Sequence, residues 1–142
     1  MYRTALFLLS TLLIGACSTQ AQSPPSAEEQ IAAAVNAAPA PMRDAATVLG
    51  YDNNMEVTTL RDGNGTLVCL ASDPAEDTFH ASCYHEALEP FMKRGRELRR
   101  QGHSGAAVGS RGRTEIEDGT LSYPDRPVAL YNLSGARHDA EA

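Results

Sequence analysis

The sequence predicts a small α+β domain: an antiparallel sheet of four to five short strands with one main helix packed on it, preceded by a flexible tether. Three observations lead to this fold class. Short apolar runs are separated by clusters of Gly and Asn, one long segment has apolar residues at helical spacing, and the stretch from Ser18 to Pro25 is rich in Ser, Thr, Gln and Pro. The chain is long enough for one small domain and too short for two.

The strand predictions begin with the apolar run from Ala46 to Tyr51. Two further strand-like runs follow, from Met55 to Arg61 and from Thr66 to Ala71. Between them, Asp62-Gly63-Asn64-Gly65 provides residues that adopt the positive φ values of a hairpin turn. The sequence therefore predicts that these two runs pair with each other as a hairpin.

The main helix is predicted from about Cys83 to Gln101, with Gly102 ending it as a C-cap. Five basic residues lie in its last turns, where positive charge suits the helix dipole. Pro90 leaves two alternatives: the helix is kinked there, or its regular part begins near Pro90 at the first helical position.

After this helix the sequence predicts a glycine-rich loop from Gly102 to Gly112. A second hairpin is predicted from Thr114 to Tyr123 around Asp118-Gly119, and a last strand from Val128 to Leu133. These segments complete the predicted sheet.

A short helix is predicted to begin at Ser26, because Ser26 and Glu29 have the spacing of a capping box. Pro39 and Pro41 stop it. Its apolar face is mostly alanine, so we expect weak packing or a place within the tether. The predicted divisions are a signal peptide at 1–16, a lipid-anchored tether with this helix at 17–41, the domain at 42–135 and a polar tail at 136–142.

The first 17 residues have the organisation of an export signal. Arg3 is followed by an apolar run from Ala5 to Ile14, which is too short to span a bilayer, and then by Gly15, Ala16 and Cys17. This segment resembles the lipobox of bacterial lipoproteins, although Gly15 and Ala16 differ from the commonest residues there. The alternative is an ordinary secretory peptide with a chance cysteine.

The lipobox resemblance implies cleavage before Cys17 and attachment of diacylglycerol, with acyl chains such as palmitate, to the Cys17 sulfur. Because Ser18 and not Asp follows the cysteine, it also implies the outer membrane, facing the periplasm. The chain would then be a precursor, and the mature protein would bind the membrane through the lipid on Cys17.

Charge is placed unevenly along the chain, which has a net charge of −6. Residues 52–89 hold eight acids and one base, whereas residues 93–113 hold seven bases and one acid. An acidic domain is a poor nucleic-acid binder, so no nucleic-acid partner is predicted. We favour two solvated faces that attract each other. The alternative is a basic patch for an anionic partner, such as lipid head groups or an envelope polymer.

With Cys17 assigned to lipid, Cys69 and Cys83 remain as an even pair in an oxidising compartment, which predicts a disulfide. It would close a loop of about 15 residues and contribute about 3 kcal/mol on the chain-entropy model. A metal or reactive-thiol site is the alternative, but no Cys-x-x-Cys spacing supports it.

Residue type and spacing indicate two further candidate sites. His85 and Glu89 are four apart, so on one helix both could reach a metal ion, although the second histidine of His-Glu-x-x-His is missing. Arg111 and Arg113 flank the glycine-rich loop and could contact an anion held by its backbone N–H groups. The spacing matches no phosphate-binding fingerprint.

The segment from Ala46 to Leu133 resembles an uncharacterised domain of secreted bacterial proteins. The similar features are Leu67-Val68-Cys69-Leu70, the second cysteine, Glu89-Pro90-Phe91-Met92 and the segment from Pro124 to Tyr131. The resemblance implies no activity. Members of that group continue beyond the last strand, which leaves open that the domain is truncated here.

No convincing catalytic set is found, so the sequence favours a non-catalytic binding or interaction module of the envelope, without a cofactor and with an envelope protein or an anionic polymer as partner. The alternative is a small metal-dependent or histidine-using periplasmic enzyme. Its candidate residues are His80, His85, Glu86, Glu89 and His103.

Overall fold

The computed structural model describes residues 23–136, so the lipobox, Cys17 and the polar tail from residue 137 lie outside the described residues. The helices are α1 (Ala27–Ala34), α2 (Glu89–Arg100) and α3 (Gly105–Glu117), and the strands are β1 (Thr47–Tyr51), β2 (Val57–Arg61), β3 (Leu67–Leu70), β4 (Thr78–His85) and β5 (Leu130–Ala136). Short 3₁₀ turns occupy Val35–Ala37, Ala40–Met42 and Glu86–Leu88. None of the helices within residues 23–136 is long and apolar enough to cross a membrane.

The strands form one five-stranded sheet in the order β2-β1-β3-β4-β5, which confirms the α+β class and the strand number. Three neighbouring pairs are antiparallel, but β1 and β3 are parallel. The expectation of a wholly antiparallel sheet is therefore wrong at this one pair.

The predicted hairpin between β2 and β3 is also wrong, because β1 lies between these two strands. Strand β2 instead forms a hairpin with β1 through residues 52–56. In this turn the Asp52 carboxylate accepts from the N–H groups of Asn54 and Glu56. The segment after β2 passes across the start of β1. Gly63 comes so close there that a Cβ would lie 2.3 Å from the Thr47 nitrogen.

The predicted main helix begins later than its apolar spacing indicated. Cys83 and Tyr84 belong to β4, and α2 starts at Glu89 with Pro90 in its first turn. The second of the two alternatives for Pro90 is confirmed. Proline suits this position because the first-turn N–H groups have no partner within the helix.

A third helix replaces the predicted glycine-rich loop and second hairpin. The Ser104 hydroxyl accepts from the Ala107 N–H and caps α3, which continues to Glu117 in spite of its glycines. Gly119, with a φ of 79°, follows the end of α3. The predicted last strand is confirmed as β5, shifted towards the C-terminus.

Helix α1 packs against the sheet, although the sequence placed residues up to 41 in a tether. The predicted Ser26–Glu29 capping box is present. Ala34 and Ala38 are fully buried beside Val48 and Cys83. Small alanine side chains allow the backbone of the helix to approach the sheet closely, so this alanine face is a core surface.

The opposite face of the sheet is covered by α2, where Tyr84, Val68 and Leu88 form a second buried cluster with Met92 beside it. Helix α3 packs on α2, and the Arg94 guanidinium joins them by two hydrogen bonds to the Glu115 carboxylate at 2.8 and 2.7 Å.

The predicted Cys69–Cys83 disulfide is confirmed, with the two cysteines opposite each other on β3 and β4. It joins two neighbouring strands, and not a hairpin to the start of a helix as expected. Both cysteines are completely buried.

Candidate functional site

An open groove lies between the start of α2 and the segment that leads into β5. Its volume is about 480 Å³, and six apolar or aromatic residues supply most of its lining: Leu88, Phe91, Met92, Tyr123, Val128 and Leu130. The segment 124–127 supplies the rest of the lining, in which Asp125 and Arg126 are the charged residues. We refer to this feature as the apolar groove.

Packing of aromatic rings shapes one wall of the apolar groove. Phe91 and Tyr123 contact edge to face, with ring centroids 5.3 Å apart. Gly112 of α3 lies against Phe91, where a Cβ would come within 3.0 Å of the ring. The glycine therefore permits α3 to hold Phe91 at this position.

The rim of the apolar groove leaves apolar surface exposed to solvent. Tyr123 is 50% exposed and Leu130 is 48% exposed, whereas Leu88 at the floor is buried. Exposed apolar surface around a concave feature is typical of a binding site. The sequence predicts Phe91 within the main helix and Tyr123 at the end of a hairpin, and it does not predict the groove, because residues 119–129 have no periodic pattern.

Glu89 is engaged by two neighbours on the sheet-facing side of α2. Its carboxylate accepts from the Tyr84 hydroxyl at 2.5 Å and from the Arg96 guanidinium at 2.5 Å, and Arg96 also donates to the Tyr84 oxygen at 3.0 Å. Burial, together with the hydrogen bond to Glu89, raises the pKa of the buried Tyr84 phenol well above its ordinary value. Through these contacts Glu89 joins α2 to Tyr84 of the sheet, which indicates a structural role for its carboxylate.

His85, the other residue of the suggested metal pair, has a local role at the end of β4. Its Nδ1 accepts from the Ala87 N–H at 3.1 Å and caps the following 3₁₀ turn. Within residues 23–136 no group of three or more His, Cys, Asp or Glu side chains could hold a metal ion.

His80 belongs to a separate polar network on β4 and β5. Its Nδ1 lies 2.7 Å from the Ser134 hydroxyl, and its Nε2 lies 3.2 Å from the Ser82 hydroxyl. The Ser82 hydroxyl also donates to the Asn132 amide oxygen at 2.8 Å. His80, on β4, is thus joined to serine and asparagine side chains, while His103 follows α2 elsewhere in the chain.

The basic segment from Lys93 to Arg113 is partly neutralised within the fold. Arg94, Arg96 and Arg100 form ion pairs, and those of Arg96 with Glu89 and of Arg100 with Glu56 join the basic segment to the acidic one. This pairing fits the interpretation of charged faces that attract each other.

Arg111 and Arg113 are exposed on α3, so the loop that was expected to hold an anion between them is absent. Two residues two positions apart on a helix point about 200° from each other. Their guanidiniums therefore do not converge on one small anion from the same helix face.

The apolar groove thus lies next to the exposed edge strand β5, since Leu130 belongs to both. The candidate histidines and arginines lie in different elements and do not form one site. Arg96, Glu89 and Tyr84 are brought together by contacts that their spacing in the sequence did not indicate. Compared with known proteins, the chain matches no protein family, no curated protein and no solved structure.

Proposed function

We propose that this chain is a lipid-anchored envelope lipoprotein whose folded domain is a non-catalytic binding module. In this proposal Cys17 carries the lipid, the protein resides at the outer membrane facing the periplasm, and the apolar groove receives side chains of an envelope protein. The arrangement of charge, apolar run and small residues before Cys17 supports the anchor. The Cys69–Cys83 disulfide is compatible with an oxidising compartment.

The observation that carries the binding role is the exposure of Tyr123 and Leu130 at the rim of the apolar groove. A domain of this size gains stability by burying such side chains, and burial by a partner would recover that gain. Aromatic residues beside a concave apolar surface are also the usual anchors of protein interfaces.

Site-specific photo-cross-linking in the producing cell tests the groove. A photoreactive amino acid at position 123 should yield one discrete cross-linked envelope protein, and Leu130→Asp should abolish that product. Ala32, exposed on α1, is the control position. If position 123 gives the same products as position 32, or if Leu130→Asp leaves them unchanged, the groove is not the contact surface.

Intact mass of the protein from cell membranes tests the anchor separately. We expect a mass beginning at Cys17 with added acyl chains, and thiols at Cys69 and Cys83 that react only after reduction. An unlipidated mass would refute the anchored form of the proposal.

A small histidine-using enzyme is the second candidate, favoured by the 3.2 Å approach of His80 Nε2 to the Ser82 hydroxyl. In this alternative the Ser82 hydroxyl would turn its proton from the Asn132 amide oxygen to His80 Nε2, and His80 would then act as a general base on Ser82. Ester hydrolysis by the purified protein that is lost in both His80→Ala and Ser82→Ala would support it. Bound zinc, copper or iron in the purified protein would instead support the metal-dependent form.

A further inference from the structure

Strand β5 is an edge of the sheet, and within residues 23–136 no further strand pairs with its outer side. It is regular, since seven consecutive residues pair with β4 without a bulge, and it contains no charged residue and no proline. The opposite edge differs: β2 is shorter, carries Arg61 and has an irregular register with β1 at Val48 and Leu49. Natural proteins blunt exposed edges by such charges and bulges, so the bare edge of β5 indicates that a strand covers it.

The backbone groups of β5 that point outwards follow from its pairing with β4. The His85 N–H donates to the Ala129 carbonyl, which directs the polar groups of residue 129 towards β4. Because these directions alternate along an antiparallel strand, Tyr131, Leu133 and Gly135 also face β4. The N–H and C=O groups on the free side are those of Leu130, Asn132, Ser134 and Ala136.

The side chains of β5 are complementary to a second copy of the same strand. In an antiparallel pair centred on Leu133, the two Leu133 side chains meet, Asn132 lies opposite Ser134, and Leu130 lies opposite Ala136. Tyr131 lies opposite Gly135, an arrangement in which an aromatic ring covers a glycine. The outward N–H and C=O groups of Leu130, Asn132, Ser134 and Ala136 also lie opposite each other in this register, which gives about eight backbone hydrogen bonds.

We infer that two copies of this chain pair through β5, in antiparallel orientation about Leu133, and join their sheets into one. Leu133, which is 39% exposed, becomes buried in the contact. Because β5 carries no charged residue, the contact itself adds no repulsion between two chains that each have a net charge of −6. Any antiparallel self-pairing centred on a residue matches outward groups with outward groups, and the centre at Leu133 is the one that includes all seven residues of β5 in the contact.

The contact is small, since each copy supplies seven strand residues and a standard interface uses about 20–30 per partner. In dilute solution the dimer is therefore weak. Two copies anchored in one membrane meet at a much higher effective concentration, a step that rests on the proposed lipid anchor. The pairing is accordingly favoured at the membrane.

Disulfide trapping tests this register directly. The two Leu133 Cα atoms would be about 4.5 Å apart, within the range of a disulfide. The full chain with Leu133→Cys, produced in cells and analysed from membranes without reductant, should run mainly as a dimer that reductant abolishes. Val57→Cys on β2 is the matched control, because Val57 is 37% exposed on the other edge, and the parent chain controls for Cys17.

A second change separates pairing from chance collision. Asn132→Pro removes an outward N–H and leaves the backbone bonds to β4 in place, but it also removes the amide oxygen that accepts from the Ser82 hydroxyl. Leu133→Cys/Asn132→Ala, which loses only that side-chain bond, is therefore the matched control and should keep the dimer, whereas Leu133→Cys/Asn132→Pro should lose most of it. Intact mass must show the Cys69–Cys83 bridge in every variant, and the same spectra report the lipid on Cys17, so failure of the anchor is distinguishable from failure of the pairing. A monomeric Leu133→Cys with a free thiol, equal dimer from Val57→Cys, or a bond to a different protein would each overturn the inference.

Discussion

The side-chain amide of Gln30 forms two hydrogen bonds with the backbone of Tyr51: its nitrogen donates to the Tyr51 carbonyl at 2.9 Å, and its oxygen accepts from the Tyr51 N–H at 2.8 Å. The same nitrogen donates to the Pro25 carbonyl at 2.8 Å. Gln30 is only 5% exposed. This one side chain therefore fixes the start of α1 to the end of β1.

Replacement of Gln30 by Ala should destabilise the domain by about 2 to 4 kcal/mol, because it leaves both backbone groups of Tyr51 without their partner. Chemical denaturation monitored by circular dichroism measures the change. Gln101→Ala, at an exposed residue that follows α2, is the control and should change stability by less than about 0.5 kcal/mol. Equal effects of the two substitutions would contradict the role of Gln30.

Gln30 also explains why the sequence placed α1 in the tether. The helix is joined to the sheet by a buried polar side chain and by alanines, and neither contributes to an apolar pattern. The Ser26–Glu29 cap, β1 and the disulfide were predictable, because a cap is a local feature and the even pair of cysteines indicated the disulfide. The neighbours of β1 were not predictable, since the crossing at Gly63 depends on backbone contacts with residues 45–47.

In the candidate site, too, some features could be predicted from the sequence and others depend on contacts between distant segments. The sequence places Phe91 in a helix, but the groove forms only because residues 119–129 return along α2 and bring Tyr123 against the Phe91 ring. Glu89 was identified by its spacing from His85 on an assumed continuous helix. Since β4 extends to His85, the two residues belong to different elements, and Glu89 is bound by Tyr84 and Arg96.

The Cys69–Cys83 disulfide closes a loop with a sequence separation of 14, so removing it should cost about 3 kcal/mol. The double variant Cys69→Ala/Cys83→Ala should unfold at lower denaturant concentration, and reductant should lower the stability of the parent chain but not of the variant. A stability that does not respond to reductant would show that the buried bridge contributes little.

The glycines of α3 provide a matched pair of substitutions. A Cβ at Gly109 would meet no atom within 4 Å, whereas a Cβ at Gly112 would lie 3.0 Å from the Phe91 ring. Gly109→Ala should therefore stabilise the domain by about 0.5 to 1 kcal/mol through helix propensity. Gly112→Ala should gain less or destabilise, because Phe91 must move, and thermal unfolding compares them. A larger gain at Gly112 would disprove the close contact.

The ion pair between α2 and α3 predicts a response to acid. Hydrogen bonds from Arg94 hold the pKa of the Glu115 carboxyl below its ordinary value. The stabilisation by the ionised Glu115 is therefore fully present above the ordinary glutamate pKa of about 4.3 and is lost as the pH falls through the lowered pKa. Glu115→Gln should lower the melting temperature at neutral pH, and its difference from the parent chain should shrink in acid. Glu117→Gln, exposed on the same helix, is the control, and a constant difference for Glu115→Gln would contradict the linkage.

Two tyrosines predict a loss of stability in alkali. Burial, and secondarily the charge of Asp73, raise the pKa of Tyr51 to about 12, and burial with the Glu89 hydrogen bond also raises the pKa of Tyr84. The unfolded chain releases these protons near pH 10, while the folded chain retains them. Stability is thus fully present below about pH 10 and declines as the pH rises through the raised values.

Urea unfolding at a series of pH values between 8 and 11 should show this slope, and Tyr51→Phe should flatten it. Val48→Ala, a buried substitution that does not titrate, should lower stability by the same amount at each pH; a Tyr51→Phe slope equal to that of the parent chain would refute the assignment to Tyr51.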